Sequence, residues 1–160
     1  RRQRQMCIRD SYCEGIMKLE DIETNWGQDS KINSADLATE SLRVPELHHK
    51  YFKIFTQERL LLKKFEQEYK QMYKLKYEYY MGILDEGELK SNGWEPFALK
   101  VLKTDLSIYM EGDQDLGNIT NKIEFQKEKI ALLESIIKTV INRGFLIKNA
   151  IDWNRFTTGS

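Results

Sequence analysis

Cysteine and long apolar runs are scarce in this sequence, and their scarcity excludes several classes of protein. The only two cysteines, Cys7 and Cys13, stand in a polar N-terminal stretch and are separated by five residues. This spacing does not match a zinc site, and no further cysteine could complete one. A local disulfide stays open, but the cysteine-free body fits a reducing compartment. No apolar run reaches the roughly 18 residues that a membrane-spanning helix needs, so we expect no membrane insertion.

Proline is nearly absent as well, which favours helices. The 160 residues contain only two prolines, Pro45 and Pro96, and both stand where a helix could begin. A chain of this length can build one domain with a modest core. We therefore predict an all-α fold.

Catalytic motifs are missing too. The sequence has no Gly-rich phosphate loop followed by Lys-Ser/Thr, no HExxH motif and no cysteine nucleophile in its body. His48 and His49 are adjacent, so on a helix they point about 100° apart and could not chelate one metal ion together. The acidic pair Asp85 and Glu86 is interpreted as part of a solvated loop. We predict a protein that is not an enzyme and that uses no cofactor or metal.

Net charge is also lacking, since 25 Lys and Arg residues balance 25 Asp and Glu residues. The charge is nevertheless segregated along the chain. Residues 50–80 carry a net charge of +4, residues 81–120 a net charge of −5 and residues 121–160 a net charge of +3. Segregation creates local fields that the total hides, so one segment could bind a polyanion although the whole chain is neutral.

The first 16 residues differ from the rest of the chain. They show no helical period, no capping signal and no apolar face, whereas Met17 opens a segment that reads as a natural start. We expect residues 1–16 to be a non-native leader and exclude them from the reasoning on fold. The alternative is a basic arm that binds nucleic acid.

Helical periodicity divides the first half of the body. The apolar spacing predicts a short helix over 18–26, a loop over 27–31 and a second short helix over about 33–42. Pro45 is expected to end that second helix and to begin a long one that reaches about residue 81. A helix of that length must lie against another long helix or another copy of the chain.

The second half is interrupted by glycine and acidic residues before a long periodic segment. Gly82 is expected to stop the long helix, followed by a loop over 82–95. Pro96 is expected to restart a helix to about residue 110, and residues 111–118 are expected to form an acidic turn. The last third then reads as one more helix with a sustained apolar repeat.

The stretch from Lys70 to Gly82, KQMYKLKYEYYMG, alternates lysine with tyrosine at the end of the long helix. Single-strand binders combine a positive track, which contacts phosphates, with aromatic side chains on which bases stack. A solvated helix with an aromatic underside has the same composition, so the pattern alone leaves both interpretations open. The candidate DNA-binding residues are Lys63, Lys70, Tyr73, Lys74, Lys76, Tyr77 and Tyr80.

The last third carries a heptad repeat with Ile123, Ile130 and Ile137 at one core position and Leu133 and Val140 at the other. Further apolar residues widen this stripe beyond a two-stranded seam, which suggests packing on two neighbours, as in a ring or a bundle. A buried helix in a monomeric bundle is the alternative. The candidate oligomerisation residues are Ile123, Ile130, Leu133, Ile137, Val140, Phe145 and Ile147. Within this repeat, Gly144 is interpreted as a C-cap or as a point of close backbone approach.

Two short motifs resemble a known family. The segment KLKYEYYMG (74–82) and the segment NRGFLIKNAIDW (142–153), with the MKLEDI start at 17–22, resemble the UvsY-type recombination mediators of tailed, T-even-like bacteriophages. Lys76 stands where the family pattern has an arginine, and Tyr77 where it has a leucine. A lysine keeps the charge but loses bidentate phosphate contact.

The resemblance implies a protein that is not an enzyme and that forms a ring-like homo-oligomer, of six or seven subunits, through its C-terminal helices. It implies binding to single-stranded DNA through Lys74 and Lys76. The implied partners are a RecA-like recombinase and a single-stranded-DNA-binding protein, and the implied role is to help load the recombinase onto covered strands during recombination and repair. The implied location is the cytoplasm of the infected bacterial host.

We accordingly divide the body into a DNA-binding region over 17–118 and an oligomerisation region over 119–160. A structural coiled-coil scaffold without a nucleic-acid role is the main alternative function. A helix lying on a membrane surface over 50–80 is a second alternative, although its four glutamates argue against it.

Overall fold

The computed structural model describes residues 17–159, so the expectations for residues 1–16, including Cys7 and Cys13, lie outside the described residues. Within this range there are five α-helices and no strand, which confirms the all-α prediction for this part of the chain. The helices are α1 (Leu19–Asp29), α2 (Leu37–Tyr80), α3 (Glu86–Asn92), α4 (Leu106–Glu111) and α5 (Gln114–Thr158). None of them is both long enough and apolar enough to cross a membrane.

Helix α1 confirms the first predicted helix but extends to Asp29, so residues 27–29 of the predicted loop are helical. The reason is a tertiary contact at its C-terminal end. The guanidinium of Arg143 donates hydrogen bonds to the carbonyl oxygens of Asp29, Ser30 and Lys31 at 2.9, 3.2 and 2.7 Å. The last carbonyls of a helix have no intrahelical partner, so a distant cation satisfies the Asp29 carbonyl that ends α1 and the two carbonyls that follow it.

Helix α2 continues without interruption through Pro45, so the prediction of two helices separated at that proline was wrong. The carboxylate of Asp36 accepts the Thr39 N–H at 3.1 Å and begins the helix. An interior proline costs about 3 kcal/mol because it removes one backbone hydrogen bond. Glu40 before it and Leu47 after it are both buried, so packing on both sides holds the helical backbone.

Helix α2 ends just before Gly82, as the sequence predicted. Gly82 adopts a positive φ of 67°, which glycine tolerates without strain. Its N–H donates to the Tyr79 carbonyl at 3.1 Å, and the Ile83 N–H donates to the Glu78 carbonyl at 2.9 Å. These bonds close the last turn, as in a glycine C-cap.

Helix α3 occupies a segment that had been predicted as a loop. The Asp85 carboxylate accepts the Glu88 N–H at 2.7 Å, and the Glu88 carboxylate accepts the Asp85 N–H at 3.1 Å. Gly93, with a φ of 70°, ends the helix. This reciprocal capping box can be read from the sequence, so the error was one of interpretation.

The helix predicted from Pro96 was wrong over its first half, because only residues 106–111 are helical there. Phe97 instead packs its ring 5.0 Å from Tyr80 and 5.7 Å from Tyr109. Burying this ring among tyrosines favours an irregular backbone over a continuous helix. Nothing in the sequence of residues 96–105 predicts this contact.

Helix α5 confirms the long C-terminal helix but begins inside the predicted acidic turn. The Asp113 carboxylate accepts the N–H groups of Asp115 and Leu116 at 2.9 and 3.0 Å and so caps the first turn. Gly117 and Gly144 both lie within the helix. A Cβ at Gly144 would meet nothing within 4 Å, so neither a C-cap nor a close approach explains this glycine.

The described chain divides into two compact units, each of which contains parts of α2 and α5. The first unit comprises residues 17–59 and 128–159. Its core is formed by apolar side chains of α1, α2 and α5, namely Ile22, Leu47, Tyr51, Ile54, Phe55, Ile130, Leu133, Ile136, Val140 and Ile147. Two buried ion pairs join α2 to α5 there, Glu40 with Arg143 and Glu58 with Lys129.

The second unit comprises residues 60–127. Leu106, Met110 and Leu116 form its buried centre, and partly buried side chains pack around them: Tyr69, Met72, Tyr80, Met81 and Val101. The predicted functional division at residues 118 and 119 does not coincide with these units, because α5 passes through both. That division stays a prediction.

Candidate nucleic-acid interface

One side of α2 in the second unit presents lysines and tyrosines to solvent. We define the Lys–Tyr face as Lys63, Lys70, Tyr73, Lys74 and Tyr77, all of which are exposed. At about 100° per residue they fall within roughly 100° of the helix circumference. Most of the predicted DNA-binding residues are therefore gathered on one surface.

The spacing on the Lys–Tyr face suits an extended polyanion. At about 1.5 Å rise per residue, Lys63 and Lys70 are roughly 10 Å apart along the helix axis, and Lys70 and Lys74 roughly 6 Å apart. The side chain of Lys74 is 78% exposed, and its ammonium forms an ion pair at 3.6 Å with Glu78 on the same helix. Exposed pairs of this kind are weak, so the ammonium can exchange Glu78 for a phosphate.

Two tyrosines stand beside these lysines. Tyr73 is 45% exposed and Tyr77 is 37% exposed, so both offer ring surface to a base. The ring of Tyr73 lies 6.0 Å from that of Tyr69 in a tilted arrangement. Aromatic rings next to a positive track are the elements with which proteins bind single strands without sequence preference.

Lys76 does not lie on this face, although the sequence placed it among the DNA-contacting residues. Its side chain is only 7% exposed, and its ammonium contacts Asp113 at 2.9 Å and Asp115 at 2.6 Å. The same ammonium stands 4.1 Å above the ring of Trp94. This burial argues against a direct contact between Lys76 and a strand, because the charge is already enclosed by two carboxylates and a ring.

The titration of this cluster follows from its contacts. Burial lowers the pKa of Lys76, but the hydrogen bonds to Asp115 and Asp113 outweigh it and leave the pKa above the ordinary value. Burial likewise raises the pKa of Asp113, and the contacts with Lys76, the Leu116 N–H and Tyr80 outweigh it and leave that pKa below the ordinary value. Both residues therefore stay charged at neutral pH.

Tyr80, another predicted contact, belongs to the same buried cluster. Its hydroxyl donates to the Asp113 carboxylate at 2.8 Å. Burial, together with this carboxylate, raises its pKa above the ordinary value. Its ring is half-buried against Phe97 and Tyr109 at 5.0 and 5.7 Å. Tyr80 is thus a packing residue that links the end of α2 to the start of α5.

The residues that sequence reasoning missed are the partners of Lys76. Trp94 lies in a segment without periodicity, and Asp113 and Asp115 lie in a segment interpreted as a solvated turn. The only signal in the sequence is charge complementarity between a basic helix end and the acidic residues 111–115. That signal does not predict which lysine pairs with which carboxylate, because several lysines precede the acidic segment.

The predicted oligomerisation residues are mostly enclosed within the chain. Ile123 is buried in the second unit, and Ile130, Leu133, Val140 and Ile147 are buried in the first. Ile137 is half-buried. Contacts within the chain therefore bury most apolar side chains of the heptad repeat. This agrees with the alternative of a buried bundle helix at these positions.

The remaining predicted residue, Phe145, is 69% exposed. It belongs to an apolar surface of α5 opposite the buried stripe, which we call the outer α5 face. Its members are Ile141, Phe145, Leu146, Trp153 and Phe156, each at least 55% exposed. The ring centroids of Trp153 and Phe156 lie 6.0 Å apart, and grouped exposed apolar side chains are typical of interaction surfaces.

Nothing in residues 17–159 forms a metal centre, since no group of three or more His, Cys, Asp or Glu side chains is placed to hold an ion. The interpretable features are thus the Lys–Tyr face, the cluster around Lys76 and the outer α5 face.

Comparison with known proteins identifies the family. The model of the family described as "Recombination, repair and ssDNA binding protein UvsY" matches residues 25–160. The chain belongs to the UvsY family. The family resemblance drawn from the two motifs is thereby confirmed. No curated protein sequence matches the chain significantly.

Solved structures share the fold. Two crystal structures of the bacteriophage T4 recombination mediator protein UvsY, in lattice types IV and II, each match with a TM-score of 0.77. Their sequences are 20% and 21% identical to this one. The matches cover 88% and 89% of this chain and 99% and 98% of the respective T4 chains. At this identity the likeness establishes the UvsY fold for nearly the whole described chain.

The two UvsY-like motifs of this chain each contain a buried cation. In the first motif it is Lys76, enclosed by Asp113 and Asp115. In the second motif it is Arg143, whose guanidinium contacts the Glu40 carboxylate at 2.5 Å and the carbonyls that end α1. Burial therefore gives both residues a structural role in this protein.

Proposed function

We propose that this protein binds single-stranded DNA along the Lys–Tyr face of α2. The observation that carries the proposal is the grouping of Lys63, Lys70 and Lys74 with Tyr73 and Tyr77 on one exposed surface. The lysines contribute salt-sensitive contacts to phosphates, and the tyrosines contribute stacking that every base accepts. The family description, which names recombination, repair and ssDNA binding, supports the same activity.

The biological role proposed for this binding is that of a recombination mediator. Such a protein holds a strand that is covered by a single-stranded-DNA-binding protein and helps a RecA-like recombinase to assemble on it. The bacteriophage T4 protein that shares the fold is a recombination mediator, which supports this role. The proposed setting is the cytoplasm of a phage-infected bacterium.

The protein is further proposed to act as a homo-oligomer that presents several Lys–Tyr faces to one strand. A single face offers only three lysines, so its affinity for a strand would be modest. Linked copies raise the effective concentration of each further contact and so the total avidity. The outer α5 face supports this assembly, because it offers exposed aromatic and aliphatic surface to a second copy. A ring of six or seven subunits is the arrangement that the family resemblance favours.

The test is a comparison of two double variants that remove the same charge. Lys70→Ala with Lys74→Ala deletes two lysines of the Lys–Tyr face, and Lys100→Ala with Lys103→Ala deletes two exposed lysines of the same unit outside α2. Fluorescence anisotropy with single-stranded and double-stranded oligonucleotides is measured over a salt series.

We expect the α2 variant to bind single strands more weakly and to lower the slope of log affinity against log salt by roughly 1.4, the contribution of two phosphate contacts. The control variant should keep the wild-type slope. Equal slopes in the two variants would contradict the site. Assembly that ignores oligonucleotides altogether would instead favour the alternative of a structural scaffold.

A further inference from the structure

The second unit contains a cavity of about 280 Å³ that the proposed function does not use. Met110 and Leu116, which are 5% and 4% exposed, contribute apolar side chains to its lining. Tyr69 lines it as well. An apolar lining that includes a tyrosine, around a space of this size, suits a flat heterocycle.

The rim of the cavity is polar. Glu111, Thr120 and Asn121 line it, and all three are exposed. The Thr120 hydroxyl donates to the Leu116 carbonyl at 2.9 Å, so its oxygen lone pairs remain as acceptors. The Glu111 carboxylate accepts hydrogen bonds, and the Asn121 amide both donates and accepts. This combination matches the edge of a nucleobase, which presents donors and acceptors side by side.

Two neighbouring tyrosines of α2 connect the cavity with the Lys–Tyr face. Tyr69 lines the cavity, and its ring lies 6.0 Å from that of Tyr73, which belongs to the face. Both residues stand on α2, one turn apart. A strand held by Lys70 and Lys74 would therefore have an aromatic path by which one base could leave the stack and reach the cavity.

We propose that this cavity is a subsite for one unstacked nucleobase of the bound strand, with a preference for bases that carry an exocyclic amino group. The inference rests on the proposed function, because it needs a single strand on the Lys–Tyr face. An amino group can donate to the Glu111 carboxylate. Thymine has no amino group, and its one ring donor, N3–H, lies between two carbonyl oxygens that a carboxylate repels. Cytosine and adenine should thus be bound in preference to thymine.

Gly117 makes the inference testable without unfolding the protein. This residue lines the cavity within α5, and a Cβ built on it would meet nothing within 4 Å. Leucine is a better helix former than glycine, so Gly117→Leu adds bulk beside the cavity and favours the helix. Gly27→Leu is the matched control, because Gly27 is also helical, exposed and free of neighbours within 4 Å.

The experiment measures anisotropy of the wild type and both variants with two oligonucleotides of equal length, one of thymidine alone and one of alternating cytidine and thymidine. We expect the wild type and Gly27→Leu to prefer the alternating strand by roughly tenfold, the effect of one hydrogen bond to a charged group. Gly117→Leu should lose that preference while it keeps the affinity and the salt slope for thymidine. Glu111→Gln should reduce the preference without changing the salt slope.

Two results would overturn the inference and leave the proposed function intact. One is a wild type that binds both strands equally, and the other is a Gly117→Leu variant that keeps the full preference. If the wild type binds neither oligonucleotide, the proposed function itself fails, and the subsite fails with it.

Discussion

Lys74 and Lys76 are the same residue type two positions apart, yet they occupy opposite environments. The difference follows from helix geometry, because residues two apart point about 200° away from each other. Because α2 packs along one side here, one of the two lysines faces the interior and the other faces solvent. Lys74 is exposed and only weakly paired with Glu78, so it can contact phosphate. Lys76 instead forms a cluster with Asp113, Asp115 and Trp94.

The two lysines should therefore give different phenotypes. Lys76→Ala leaves the Asp113 carboxylate buried without its cation, and we expect it to lower the free energy of unfolding by about 3 kcal/mol. Lys74→Ala should weaken single-strand binding and leave the unfolding transition unchanged. Thermal denaturation and anisotropy on both variants measure this split. A Lys76→Ala protein that melts like the wild type but loses DNA binding would show that Lys76 contacts the strand after all.

Asp113 adds a pH dependence to stability. Its contacts hold its pKa below the ordinary value of 3.8, so the stability it contributes is present above that pH and is lost as pH falls through the folded-state pKa. Asp113→Asn should be less stable than the wild type at neutral pH, and the difference in free energy of unfolding between the two proteins should become smaller in acid. Urea unfolding at a series of pH values from neutral to about 3 measures this difference. A gap that does not change with pH would contradict this assignment.

At the scale of single elements, the sequence predicted both long helices. It did not always predict the residues at which helices begin and end. The glycine cap at Gly82 was found because its signal is local. Pro45 was misread because a local rule, that proline ends a helix, was overruled by packing on both sides. Helix α3 was missed although its capping box was present, and the irregular segment after Pro96 was missed because Phe97 is positioned by distant tyrosines.

Pro45 gives a direct test of that packing argument. Pro45→Ala restores an N–H that can donate to the carbonyl four residues earlier in α2, so we expect stability to rise by up to about 3 kcal/mol. Pro96→Ala is the control, since Pro96 lies outside any helix and has no such bond to regain. Urea unfolding monitored by circular dichroism measures both. A less stable Pro45→Ala protein would mean that the helix needs the fixed proline geometry.

At the scale of the whole molecule, the outer α5 face replaces the heptad as the surface to test for assembly. Polar substitution of Ile130 would destabilise the first unit and so confound a test of assembly, because that residue is 8% exposed. Phe145→Gln with Phe156→Gln changes side chains that are 69% and 79% exposed and should leave the fold intact. We expect this double variant to sediment at a lower mass than the wild type.

The matched control for assembly is Leu42→Gln, which alters a side chain that is 77% exposed on α2 of the same unit. It should sediment like the wild type. Circular dichroism confirms that both proteins are folded before their masses are compared. If the mass of the Phe145 and Phe156 variant is unchanged, the outer α5 face does not hold the copies together.

The sequence by itself determined the helical class, the two long helices and the family, because each rests on periodicity, local caps or short motifs. It also named the five residues of the Lys–Tyr face, but together with Lys76 and Tyr80, which are not part of that face. Only the tertiary structure decided which lysine is buried, which face of α5 is exposed, and where α1 and the segment after Pro96 depart from the predicted helices. Those features depend on partners far along the chain, such as Arg143 for α1 and Asp113 for Lys76. A local sequence pattern shows that a charged or an apolar side chain is present. Which residue it contacts depends on how the distant segments pack.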